Sequence, residues 1–135
     1  MAISIAADIV EIKGENRILT HYGLKKINTN PRHGIKAIIE LSKVSREFTV
    51  SDVVFMIAPR INAAGRIESG NRAVELMISR DVDAARFKGD EINEHNTFRK
   101  ELDTNITIQA LEQIERDVLL HTRKSTVVFQ ADWHK

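Results

Sequence analysis

Apolar residues recur along this chain mostly at helical spacing, and the interruptions between runs are sharp. Positions 3–12 are rich in Ile, Val and Ala, which fits either a helix end or a short strand. After Gly14, the residues Ile18, Leu19, Tyr22 and Ile27 mark one side of a helix over 15–27. Asn28-Thr29-Asn30-Pro31 ends it, because Pro31 has no amide donor and disfavours helical backbone at Asn30. A second helix follows, from 31 or 32 to 43, with Ile35, Ile38, Ile39 and Leu41 as its apolar side. Thr49 or Ser51 can cap a third that buries Val53, Val54, Met56 and Ile57, and Pro59 is expected to interrupt it. The stretch up to Gly70 is small, basic and glycine-containing. Helix resumes over 71–80 through Ala73, Val74, Leu76 and Met77.

The longest element comes next. Asp81 or Asp83 can cap it, and no proline occurs from 84 to 117. Phe98, Leu102, Ile106, Ala110 and Ile114 recur every fourth position and form a single apolar stripe. One helix of about 34 residues would be about 50 Å long, which suits a connector between two bodies. Gly89 is its weak point, at about 1 kcal/mol relative to alanine. Residues 125–131 alternate and carry Val and Phe, so they read as a strand. The pattern is therefore mainly α: short helices, one long helix, and the first strand of a further domain. There is no internal repeat. Apolar residues at both ends, in MAISIAADIV and STVVFQA, suggest that both would pack on partners, and a second copy of the chain is the expected cover.

Composition narrows the chemistry. Lys and Arg number 20, Asp and Glu 19, so a net charge of +1 gives no general attraction for nucleic acid. Any such contact must come from a local basic cluster, because phosphate neutralisation is local. The absence of cysteine excludes disulfides, thiol catalysis and cysteine-based zinc sites. No apolar run approaches the roughly 20 residues that span a bilayer. The five histidines, His21, His33, His95, His121 and His134, contain no i,i+3 or i,i+4 pair for a helical metal site.

One segment concentrates candidate chemistry. In Pro59-Arg60-Ile61-Asn62-Ala63-Ala64-Gly65-Arg66 two arginines flank small residues. Small side chains let a ligand approach the backbone, and arginine forks match phosphate oxygens. Asn62 adds a donor and an acceptor. On these residues alone, a helix end with a turn and solvated arginines is the favoured account of the pattern. Lys25-Lys26 with Arg32, and Glu91, Glu94 and Glu101, read as plain solvated faces.

The contiguous run IAPRINAAGR at 57–66 resembles a signature of RecJ-type single-strand-specific DNA exonucleases, members of the DHH phosphoesterase superfamily. ADIVEIKGENR at 7–17, YGLKKIN, NPRHGIKAII and ADWHK are similar to the family's segments in the same order, so the resemblance covers essentially the whole chain. The chain departs from the family's usual residues at Ser4-Ile5, commonly Gly-Thr, and at Glu11, commonly Pro. The resemblance implies that residues 1–80 are the helical C-terminal part of a DHH catalytic domain. Residues 81–123 would be an interdomain helix, and 124–135 the start of a DHH-associated domain, within a larger α/β protein. It implies Asp8 as one ligand of catalytic Mn2+ or Mg2+, for which carboxylate is the right donor. Arg60, Asn62, Gly65 and Arg66 would contact single-stranded DNA, with His134 a further candidate beside Trp133.

The activity implied is 5′-to-3′ phosphodiester hydrolysis in cytoplasmic DNA repair and recombination. The chain has no Asp-His-His, however, and a two-metal reaction needs a cluster of ligands. No complete catalytic set is expected, and the chain alone is expected to be inactive. A helical module that binds DNA or a protein partner, and another DHH phosphoesterase of the nano-RNase kind, are the competing readings.

Overall fold

The computed structural model describes residues 1–67, 70–119, 122 and 124–133, with the side chains of 64–67 excepted. It is mainly helical: α1 (Ala2–Ala7), α2 (Gly14–Thr29), α3 (His33–Ser42), α4 (Val50–Asp52), a π-helical turn (Val53–Ile57), α5 (Ala58–Ile67), α6 (Gly70–Ile78) and α7 (Val82–Glu115). The chain divides into two compact units, Met1–Asn96 and Thr97–Lys135.

The first unit is built around Ile38, Ile57, Leu76 and Ile92, all essentially without solvent contact. The ambiguous N-terminal stretch is helical, and Ala6 of α1 is buried. α1 packs on α2, where Gly23 makes room: a Cβ there would overlap the side chain of Ala2. α3 packs on α6. Gly34 permits that approach, since a Cβ at this position would collide with the backbone carbonyl of Leu76. Asn28 fixes the loop after α3. Its amide donates to the Phe48 carbonyl at 2.9 Å and its carbonyl accepts the Phe48 N–H at 2.7 Å, and Phe48 is buried beside it.

Thr49 is the cap for α4. Its hydroxyl accepts from the Asp52 N–H, while the Asp52 carboxylate accepts from the Thr49 N–H and hydroxyl. Arg46 donates to both oxygens of that carboxylate, at 2.6 and 2.9 Å. Beyond it the helix runs on rather than stopping at Pro59. Proline leaves the carbonyl four residues earlier without its usual amide and crowds it. The wider π turn comes directly before, with the Ala58 N–H bonded to the Val53 carbonyl.

α7 has two different faces. Up to Asn96 its buried residues are Ala85, Gly89, Ile92 and Asn96, at helical spacing. Gly89 is a contact point rather than a defect: a Cβ there would stand 3.2 Å from Ala37 Cβ. Lys88–Glu75 at 2.8 Å and Arg86–Glu40 at 3.2 Å fasten the same half of α7 to α6 and α3. In the second unit, Leu102, Ile106, Ala110 and Ile114 are half-buried and Phe98 is exposed. Trp133 Nε1 donates to Gln109 Oε1 at 2.7 Å. The strand expected at 125–131 is a difference. Among the described residues there is no strand, although exposure alternates along 125–130. A lone extended segment cannot form a ladder without a neighbour, and isolated strands have little stability of their own.

Candidate nucleic-acid interface

α1, α2, the α2–α3 turn and α5 surround an open cleft of about 800 Å³ in the first unit. Much of its wall is apolar, including Ile3, Ile27, Ile35 and Ile61. The polar groups in it are few: Asp8, Lys26, Arg32 and Asn62 stand out. Thus Asp8, at the end of α1, and Asn62, on α5, line one space although they are far apart in sequence.

Asp8 is the C-terminal cap of α1, in extended backbone. Its Oδ1 accepts the Ile9 N–H at 2.8 Å, and the other oxygen has no partner among the described residues. A single exposed carboxylate can offer a hard cation one or two oxygens, far short of the six a magnesium ion needs. Among the described residues no three His, Asp or Glu side chains come together in a way that could hold a metal ion. The residues present therefore do not by themselves fit a catalytic metal centre.

Arg60 is placed differently from Asn62. It does not line the cleft. Its Nε donates to Asn93 Oδ1 of α7 at 3.0 Å, and one terminal nitrogen donates to the Met56 carbonyl at 2.6 Å. The second bond satisfies a carbonyl in the π turn. Burial draws the Arg60 guanidinium below its ordinary value, from so high a start that it remains charged. The segment expected to be a turn is helix from Ala58 to Ile67. Neighbouring positions on a helix face different ways, which is why Arg60 and Asn62 have different surroundings. Gly65 and Arg66 fall in the last turn of α5, where side chains lie outside the described residues. His134 lies outside them too, as does His121.

Sequence reasoning set Lys26 and Arg32 aside as solvated. The structure brings both to the cleft that holds Asp8 and Asn62. The only signal was the Lys25-Lys26 and Arg32 cluster itself, which carries no information about what faces it.

No family model matches the chain. Among curated proteins, the single-stranded-DNA-specific exonuclease RecJ of Bacillus subtilis is 36% identical over 134 residues, 98% of this chain and 17% of that protein. RecJ of Escherichia coli is 31% identical over 142 aligned residues, covering all of this chain and 24% of that protein. The chain thus spans about a quarter or less of the length of the curated relatives it matches. Solved structures agree. RecJ from Thermus thermophilus in complex with Mg2+ superposes with a TM-score of 0.74 at 30% identity, over 82% of this chain and 18% of that one. An exonuclease RecJ bound to manganese gives 0.74 at 29% identity, over 83% and 29%. In sequence and in fold alike, the chain corresponds to a stretch of the RecJ-type proteins.

Proposed function

We propose that this chain is the strand-holding part of a RecJ-type exonuclease, which hydrolyses single-stranded DNA from the 5′ end with Mn2+ or Mg2+ in the cytoplasm. The observation that carries the reading is the cleft that gathers Asp8, Asn62, Lys26 and Arg32. In it Asn62 hydrogen-bonds the strand and the two cations neutralise its phosphates. The resemblance adds Arg66 to the residues that contact the strand. Arg60 contributes by fixing α5 against α7. Asp8 offers one carboxylate to a metal centre; among the described residues no His, Asp or Glu cluster that could hold a metal ion forms around it. No hydrolytic step is assigned to this chain, because one carboxylate cannot place two ions and activate water. Residues 1–80 belong to the catalytic domain, 81–123 to the interdomain helix, and 124–135 to the start of the DHH-associated domain. Ile9, Val127 and Phe129 stand exposed, so the isolated chain self-associates through apolar contacts.

Fluorescence anisotropy with a labelled single-stranded oligonucleotide at low salt tests the reading. Binding weakened by Asn62→Ala and by Arg66→Ala is the expected result. Equal affinity for all three proteins would refute it.

A further inference from the structure

A second cleft, of about 600 Å³, shares Lys26, Pro31, Arg32 and Met77 with the first and extends to Asn30, His33 and Arg80. Among the described residues no Asp or Glu lines it. Lys26, Arg32 and Arg80 are exposed, and none has an ion pair or side-chain hydrogen bond among the described residues. Arg46, Arg86 and Lys88 of the first unit each sit on a carboxylate; Lys25, Lys36 and Lys43 have no ion pair among the described residues either, but they line neither cleft. Three like charges around one concavity repel one another, and an anion shared between them removes the repulsion. The chain as a whole has a charge of only +1, so this is a local field and not a general one.

We infer that the second cleft is a phosphate track, in which Lys26, Arg32 and Arg80 hold the sugar–phosphate backbone of a single strand as it leaves the Asp8–Asn62 cleft. This rests on the proposed function and extends it. The two clefts adjoin at Lys26, Pro31, Arg32 and Met77, which line both, so a strand passing over these residues can touch both. Among the described residues no Phe, Tyr or Trp lines the second, so they offer no large platform for base stacking, and the contacts of its cations are independent of sequence.

The test is a salt titration of oligothymidylate binding to the full 135-residue chain, with wild type, Arg32→Ala/Arg80→Ala and Asn62→Ala compared. Each lost phosphate contact on a single strand reduces the slope of log K against log salt by about 0.7. The double variant should lose roughly tenfold or more in affinity, with a slope shallower by about 1.4. Arg32→Lys/Arg80→Lys should restore most of both, since a point charge suffices, and it separates charge loss from misfolding. Asn62→Ala should weaken binding without changing the slope. An unchanged affinity and slope in the double variant, with Asn62→Ala still weakened, would overturn the track together with the phosphate role given to Arg32, and leave the strand-holding role of Asn62 standing. No oligonucleotide binding by the wild type would overturn both.

Discussion

Arg60 holds two carbonyl-type acceptors at once, the Met56 backbone and the Asn93 side chain. That assigns it a role in folding as well as any in binding. Removing it takes a charged donor from a carbonyl of the π turn and another from Asn93, and hydrogen bonds to charged groups contribute about 1.5–3 kcal/mol. Arg60→Ala should therefore cost about 2 kcal/mol in urea unfolding. Arg60→Lys should recover little, because an ammonium cannot reproduce the two-directional fork. Equal stability of wild type and both variants would show that the residue serves binding alone.

Asp52 makes a second residue-scale prediction. Its carboxyl is held well below the usual carboxylate range, first by the hydrogen bond from Arg46 and then by the Thr49 N–H and hydroxyl. A folded pKa below the unfolded one gives stability that is present above about pH 4 and is lost as pH falls toward the folded value. The thermal midpoint of the wild type should begin to drop as pH falls below about 4 and keep dropping toward the folded value. Asp52→Asn should begin lower at neutral pH and fall less steeply. Parallel curves for the two proteins would contradict the assignment.

Among the elements, helix positions were largely legible from periodicity, since Ile35, Ile38, Leu76 and Ile27 are buried as the pattern predicts. Pro59 was misleading. Local rules treat proline as a helix stop, whereas here the π turn relieves the strain and the helix continues. Gly34 and Gly89 were equally opaque, because a glycine required by a neighbouring helix looks like one that merely weakens its own. The site shows the same division. Asp8 and Asn62 could be nominated from motifs, but their shared cleft, and the arrival of Arg80 beside Arg32, depend on tertiary packing. The α3–α6 contact gives a direct check. Gly34→Ala forces a Cβ against the Leu76 backbone and should destabilise the first unit by about 2–3 kcal/mol. A neutral substitution would mean that the two helices can separate without loss.

At the scale of the whole molecule, holding a strand and cutting it call for different sets of residues. Among the described residues the cleft holds Lys26, Arg32 and Asn62, the groups proposed to contact the strand, and a single carboxylate, Asp8. The exposed apolar residues further predict masses above 15.3 kDa by light scattering at high concentration, and a strictly monomeric species would contradict self-association. The central claim is tested most directly by one experiment. An end-labelled single-stranded oligonucleotide is incubated with the chain in manganese, and the same samples are run on native and denaturing gels. The account predicts a shifted but full-length oligonucleotide. Release of mononucleotides, or no shift at any protein concentration, would contradict it.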